Sequence, residues 1–167
     1  MKKIKLILSD VDGVLTDGGI IYDSQGNEIK KFNVRDGFGI RLWQKAGYEF
    51  GLVTGRSSHI VRLRANELGL SILRQGVRDK LEVVMSIAES RHLTLEEICF
   101  IGDDFPDLPV IRHVGLGVTV ADAPEEIRQQ ARLVTSQQGG HGAVRELIET
   151  VLKAQNLWES SLQTYFR

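Results

Sequence analysis

The chain has 167 residues, of which 42% are hydrophobic and 26% are charged, and its formal net charge is −1. This length and composition predict one soluble globular domain with its own core, and the balanced charge gives no reason to expect a nucleic-acid partner or a disordered acidic tail. The apolar run near the N-terminus spans only about five residues, which is shorter than the core of a signal peptide or a membrane span. A cytoplasmic protein without a membrane partner is therefore expected.

Short apolar runs alternate with amphipathic stretches along the chain, a pattern typical of βαβ units. Buried strands are predicted at 4–8, 50–53, 98–101 and 116–120, and helices at 38–46, 59–68, 80–91, 124–131 and 143–154. The predicted fold class is α/β: a Rossmann-like, doubly wound parallel sheet in a single domain over residues 1–167.

Local signals mark the ends of several elements. Polar residues that favour helix starts are Asp36, Ser57 or Ser58, and Thr94 with Glu97 three residues later. Gly47 and Gly69 are placed to end helices. The single cysteine, Cys99, falls inside a predicted strand and is expected to be a buried, unreactive thiol.

Two segments stand outside the alternation of strands and helices. In 18–34, two β-prone stretches flank the turn-rich loop 23–27, which predicts a hairpin directly after the first strand. The large apolar residues of this hairpin are expected to pack against a partner surface. The last segment, 155–167, is rich in apolar and aromatic side chains and is expected to dock on this subunit or on a neighbouring one.

The first predicted strand leads into Asp10 and Asp12, which places two carboxylates at the carboxyl edge of the sheet. Carboxylate oxygens are ligands that Mg²⁺ prefers, and a carboxylate can also attack phosphorus. Taken alone, the pair is equally consistent with the capping of a turn.

Three further segments place complementary groups at the corresponding ends of their elements. Thr54 and Gly55 follow the second predicted strand and offer a hydroxyl and backbone N–H groups to a phosphate, while Lys80 starts a helix and offers a cation. The acidic segment 103–107 follows the next strand. Each has a structural explanation by itself, but together they predict one magnesium-dependent phosphoryl-transfer site.

These segments resemble, in order, the four motifs of the haloacid dehalogenase superfamily of phosphatases. The resemblance implies that Asp10 is the nucleophile and a magnesium ligand. Asp12 would be the general acid and base, and its backbone carbonyl would also bind the metal. Asp103 would be the direct metal ligand from the fourth motif.

The same resemblance implies roles for the remaining motif residues. Thr54 and Lys80 would hold the phosphoryl oxygens, with Gly55 and Arg56 beside them in the substrate site. Two further carboxylates are expected to support the site. Asp104 would bind the metal through a water molecule or orient Lys80, and Asp107 would have a supporting or structural role.

The intervals between the motifs leave no room for a cap domain, since 18–53 holds one hairpin and one helix. The closer resemblance is to the capless 3-deoxy-D-manno-octulosonate 8-phosphate phosphatases of lipopolysaccharide synthesis. It is carried by the stretches 17–20, 32–40, 54–57, 75–81, 121–123 and 139–146, although the family more often has a basic residue at the position of His141. The resemblance implies a small sugar-acid phosphate as substrate and a homotetramer assembled through the hairpins, in which a neighbour's tail helps to close the site.

Three arginines, Arg35, Arg56 and Arg78, are candidates for the substrate carboxylate, which a guanidinium binds through two parallel hydrogen bonds. Arg56 is favoured because it follows Thr54 and Gly55, and His141 is a further candidate for substrate contact. Two alternatives stay open: a 9-phosphate phosphatase for a sialic-acid-like sugar, and a tetramerisation module like the domains fused to cytidylyltransferases.

Overall fold

In the computed structural model, which describes residues 3–166, short strands alternate with helices as the pattern predicts. The strands are β1 (Leu6–Ser9), β2 (Ile21–Tyr22), β3 (Glu28–Ile29), β4 (Glu49–Val53), β5 (Ile72–Arg74), β6 (Ile98–Gly102), β7 (Leu116–Thr119) and β8 (Leu133–Val134). The helices are α1 (Val34–Lys45), α2 (His59–Glu67), α3 (Lys80–Ser90), α4 (Leu108–His113), α5 (Glu125–Gln130), α6 (Ala143–Ala154) and α7 (Trp158–Leu162).

Six strands form a parallel sheet in the order β5-β4-β1-β6-β7-β8, flanked by helices. The strand β1 lies inside the sheet, where Leu8 pairs with Gly51 of β4 and with Phe100 of β6. Every residue of β1 is buried, because both faces of a parallel sheet are covered. The predicted α/β fold class is confirmed, and Cys99 is a buried thiol in β6.

The sequence pattern missed the two edge strands. The strands β5 and β8 have three and two residues, too few for a run that hydrophobic periodicity can detect. Both pair in parallel with their neighbours and extend the sheet by one strand at each side. The edge strand β5 matters for the site, because it fixes the loop that follows β4.

The start predicted for the first helix is wrong. Helix α1 begins at Val34, and its N-cap is Asn33, whose side chain accepts a hydrogen bond from the Arg35 N–H at 2.9 Å. Asp36 is buried one turn further on and accepts a hydrogen bond from the Arg145 N–H at 2.8 Å, which ties α1 to α6. Burial raises the pKa of Asp36 to about 6.

The other terminal signals are present in the structure. Ser58 caps α2 by accepting a hydrogen bond from the Val61 N–H at 3.3 Å. Thr94 and Glu97 form a capping box, but it opens only a single 3-10 turn in front of β6. Gly47 and Gly69 follow α1 and α2 with φ values of +91° and +66°, a region that glycine occupies without strain.

The predicted hairpin is confirmed as the small antiparallel pair β2 and β3. Ile21 lies opposite Ile29, and Tyr22 lies opposite Glu28. The hairpin exposes Ile20, Ile21, Tyr22 and Ile29, each to about half of its full surface.

The C-terminal segment packs on helices of its own chain. The Tyr165 ring meets the edge of Phe38 in α1 at 5.4 Å, and the Lys45 ammonium donates a hydrogen bond to the Thr164 hydroxyl at 2.6 Å. The Trp158 ring lies 5.8 Å from the guanidinium of Arg145 in α6. The segment therefore makes contacts with α1 and α6 of its own subunit. Within residues 3–166, none of the helices combines the length and the apolar character that crossing a bilayer requires.

Candidate active site

The central strand delivers Asp10 to the carboxyl edge of the sheet. Its backbone N–H donates a hydrogen bond to the Ile101 carbonyl at 3.0 Å, which continues the pairing of β1 with β6. Its Oδ1 accepts a hydrogen bond from the Val11 N–H at 2.7 Å. The carboxylate is therefore held by the backbone through Oδ1, and Oδ2 faces the site.

Lys80 supplies the positive charge that faces Asp10. It is the first residue of α3, where Asp79 caps the helix by accepting a hydrogen bond from the Glu82 N–H at 3.0 Å. The buried Lys80 ammonium lies 2.8 Å from Asp10 Oδ2 and 2.6 Å from Asp107 Oδ1. Burial alone lowers the pKa of this lysine, but the two carboxylates outweigh that effect and raise it, so the ammonium stays charged.

The loop after β6 arranges its three carboxylates differently from one another. Asp107 is buried and accepts a hydrogen bond from the Asp103 N–H at 3.0 Å while it holds Lys80. Asp104 caps the 3-10 turn Phe105–Asp107 by accepting from the Phe105 N–H at 2.8 Å. It is therefore Asp107, and not Asp104, that orients Lys80.

Three carboxylates gather where a divalent cation could bind. Oxygens of Asp10, Asp103 and Asp107 lie within 4.8 Å of one another. Burial and the repulsion between these groups raise the pKa of Asp103 to about 8 and that of Asp10 to about 6. A cation coordinated by the carboxylates would relieve that repulsion, and the all-oxygen donor set fits magnesium.

Gly13 leaves room for the Asp103 carboxylate, because it has no side chain. A Cβ atom at this position would lie 2.0 Å from Asp103 Oδ2, and the Gly13 backbone has φ of +87°. A side chain at residue 13 would therefore displace one of the candidate metal ligands. The Asp12 side chain is not part of the carboxylate cluster of Asp10, Asp103 and Asp107.

A cavity of about 410 Å³ opens above these groups. It is lined by Asp10, Asp12, Thr54, Gly55, Arg56, Val77, Arg78, Lys80, Asp103, Asp104, Pro106 and Asp107. The predicted catalytic, metal-binding and supporting residues, together with Gly55, Arg56 and Arg78, thus border one space. Thr54 is buried there and is fixed by β5, since its N–H donates to the Arg74 carbonyl at 2.9 Å.

Two candidate substrate contacts lie elsewhere. Arg35 and His141 border a separate cavity of about 470 Å³ beside the start of α6. The His141 ring lies 2.8 Å from the Gly139 carbonyl through Nδ1. Within one subunit the structure therefore brings Arg56 and Arg78, but neither Arg35 nor His141, to the cavity above Asp10.

Two residues near the site were missed in the sequence, and both come from the hairpin. The Lys30 ammonium contacts the Asp12 carboxylate and lies 3.3 Å from Glu28 Oε1. Glu28 also lies 3.1 Å from Arg56 Nη2 and accepts a hydrogen bond from Ser58. Ser58 and these salt-bridge partners hold the pKa of Glu28 below its usual value. One sequence feature could have indicated them: Glu28 and Lys30 alternate with Ile29, in a predicted hairpin that directly follows the acidic loop.

Comparison with known proteins places the chain among hydrolases. The model of the haloacid dehalogenase-like hydrolase family matches residues 70–147. A 3-deoxy-D-manno-octulosonate 8-phosphate phosphatase of Yersinia pestis is 42% identical over 158 residues, which are 95% of this chain and 84% of the relative.

Solved structures agree with this relationship over nearly the whole chain. One is the 3-deoxy-D-manno-octulosonate 8-phosphate phosphatase of Moraxella catarrhalis in complex with magnesium, phosphate and the sugar acid. It has a TM-score of 0.96 and 43% identity, covering 98% of this chain and 94% of that one. The cobalt-bound phosphatase of Haemophilus influenzae has a TM-score of 0.93 and 36% identity, covering 99% and 98%.

Proposed function

Because the chain belongs to the 3-deoxy-D-manno-octulosonate 8-phosphate phosphatase family of haloacid dehalogenase-like hydrolases, we propose that it hydrolyses this octulosonate 8-phosphate to the free sugar acid and phosphate. The chain is a phosphoric monoester hydrolase, and magnesium is the cofactor that its relatives and its acidic cluster indicate. The proposed setting is the cytoplasm, in the synthesis of lipopolysaccharide precursors. The observation that carries the proposal is the contact of Lys80 with Asp10 at the floor of the acidic cavity.

The first proposed step transfers the phosphoryl group to Asp10. A carboxylate oxygen of Asp10 attacks phosphorus, a P–O(Asp) bond forms, and the bond from phosphorus to the sugar oxygen breaks. With a pKa of about 6, Asp10 is mostly ionised at neutral pH. Lys80 supplies a fixed positive charge beside the phosphoryl oxygens, and Thr54 and Gly55 border the same space.

Asp12 has two proposed tasks in sequence. As a general acid it protonates the departing sugar oxygen, and as a general base it then takes a proton from the water that attacks the phosphoenzyme and releases Asp10. A magnesium ion held by Asp10, Asp103 and the Asp12 carbonyl would neutralise charge on the phosphate. Asp104 and Asp107 support the site through the 3-10 turn and through Lys80.

Recognition of the sugar acid is assigned to Arg56 and Arg78. Arg56 is partly exposed, and its Nη2 is within hydrogen-bond distance of Glu28 at 3.1 Å and of the Tyr22 hydroxyl at 3.4 Å. A guanidinium has five N–H donors, so Arg56 retains donors for a carboxylate. Arg78 lies in the loop between β5 and α3 and borders the same cavity.

A panel of sugar phosphates assayed with magnesium tests the proposal. We expect the octulosonate 8-phosphate to give the highest kcat/KM, and we expect EDTA to abolish turnover and Mg²⁺ to restore it. Equal or better turnover of a 9-phosphate nonulosonate would assign the enzyme to the sialic-acid-like branch. A protein that fails to hydrolyse even p-nitrophenyl phosphate with magnesium would contradict the phosphatase and favour the tetramerisation module.

We further propose that the chain assembles as a homotetramer through its hairpins. Ile21 and Ile29 are paired across the hairpin and are 45% and 48% exposed, so their shared face is available to another copy. Sedimentation velocity should give a mass near four times the 18.7 kDa of one chain.

A charge placed on this face should break the assembly. Ile29→Lys is expected to shift the protein to smaller species, because a buried lysine in an apolar interface lacks a partner charge. Leu63→Lys on α2 is the matched control, since Leu63 is also 48% exposed. An Ile29→Lys protein that still sediments as a tetramer would exclude the hairpin as the interface.

A further inference from the structure

The hairpin buries one ammonium group beside the site, in contact with Asp12. The Lys30 side chain is 2% exposed, whereas the side chain of the next residue, Lys31, is 66% exposed. Side chains alternate between the two faces of an extended segment, so Glu28 and Lys30 share a face while Ile29 lies on the other. The burial of an ammonium is costly unless carboxylates compensate it, so the partners of Lys30 reveal its role.

Those partners join three parts of the chain. Lys30 donates a hydrogen bond to Asp12 Oδ1 and lies 3.3 Å from Glu28 Oε1. Glu28 in turn holds Arg56 at 3.1 Å and accepts a hydrogen bond from the Ser58 hydroxyl. Charges of opposite sign therefore alternate from the loop after β1, through the hairpin, to the loop after β4.

Asp12 depends on this contact for its orientation. Within residues 3–166, Lys30 is the one group that forms a hydrogen bond or ion pair with the Asp12 carboxylate. Asp10, by contrast, is held both by a backbone N–H and by Lys80. Without Lys30, the Asp12 carboxylate would be free to rotate, and Glu28 would lose a compensating charge.

We infer that Lys30 is a positioning residue that holds the Asp12 carboxylate toward the leaving oxygen, so that the hairpin contributes directly to proton transfer. The inference rests on the proposed role of Asp12 as general acid. Lys30 acts through Asp12, because its ammonium is engaged by Asp12 and Glu28, and it does not border the cavity above Asp10.

The dependence on the leaving group tests this role. A sugar alkoxide needs a proton to depart, whereas p-nitrophenolate departs without one. We measure release of the leaving group in the first turnover by rapid quench with saturating Mg²⁺, because this step precedes hydrolysis of the phosphoenzyme. For Lys30→Met, which keeps the length of the side chain, we expect the rate to fall roughly 10- to 100-fold with the sugar phosphate and less than about threefold with p-nitrophenyl phosphate.

Three further variants complete the experiment. Lys31→Met removes an exposed ammonium that pairs with Asp17 and should leave both rates unchanged. Lys30→Arg should recover part of the rate with the sugar phosphate, since it restores a cation beside Asp12. Asp12→Asn sets the scale for complete loss of the general acid.

The outcomes separate the two claims. Equal losses on both substrates in Lys30→Met would give Lys30 a purely structural role and overturn the inference. If Asp12→Asn loses rate selectively with the sugar phosphate and Lys30→Met does not, only the role of Lys30 fails. If Asp12→Asn shows no such selectivity, the proposed role of Asp12 fails, and the inference fails with it.

Discussion

Asp10→Asn is expected to abolish turnover, with a loss of roughly 10⁴-fold or more in kcat, because an amide oxygen cannot form the phosphoenzyme. The fold should survive the change. Asparagine keeps the shape of the side chain and its acceptor for the Val11 N–H, and Lys80 retains Asp107 as a partner. The substitution also removes one of three carboxylates that repel one another in the metal-free site.

Two measurements check this result. Steady-state assays give the loss of kcat, and rapid acid quench followed by mass spectrometry should detect a phosphoryl adduct on the wild-type chain and none on the variant. Glu126→Gln, which removes the charge of an exposed carboxylate on α5, should behave as the wild type. Substantial residual turnover in Asp10→Asn would refute covalent catalysis by this residue.

Lys80→Met is expected to affect both catalysis and stability. Loss of a positioned charge beside the transferring phosphoryl group should lower kcat by roughly 10³-fold. Without metal, the variant leaves Asp10 and Asp107 without their shared counter-ion in a buried site. The free energy of unfolding should therefore fall by about 3 kcal/mol, as in other buried ion pairs that lose one partner.

Denaturant unfolding with EDTA and with Mg²⁺ tests the second effect. We expect magnesium to recover part of the lost stability in Lys80→Met, because a bound cation replaces some of the missing positive charge. Lys153→Met is the control: Lys153 is exposed, lies 3.3 Å from Glu149, and should contribute less than about 1 kcal/mol. A metal-free Lys80→Met protein as stable as the wild type would show that the buried pair contributes nothing to the fold.

The central sheet and the position of its acidic edge were predictable from the sequence. A strand covered on both faces produces an uninterrupted apolar run, and β1 and β6 are such runs directly in front of Asp10 and Asp103. Lys80 was also predictable as the first residue of a helix, because the helical pattern 80–91 begins there. The short edge strands β5 and β8 carry too few residues to leave a pattern.

Contacts between distant segments could not be derived from spacing. Asp104 and Asp107 lie in one loop, and only the turn that Asp104 caps directs Asp107 toward Lys80. The pairing of Lys30 with Asp12 joins residues 18 positions apart through a hairpin whose faces are set by tertiary packing. Asp36 resembles a helix cap in the sequence, but in the structure it is buried and accepts a hydrogen bond from the Arg145 N–H.

The two faces of the hairpin have a consequence for the working enzyme. One face carries Lys30 to Asp12, and the other leaves Ile21 and Ile29 exposed as the face proposed for tetramer assembly. A hairpin that is covered by neighbours holds its inner face more firmly than one that is free in solvent. Subunit association would then be linked by mass action to proton transfer, so that specific activity falls on dilution as the assembly dissociates. The amount of protein in the cell would become a determinant of how active each molecule is.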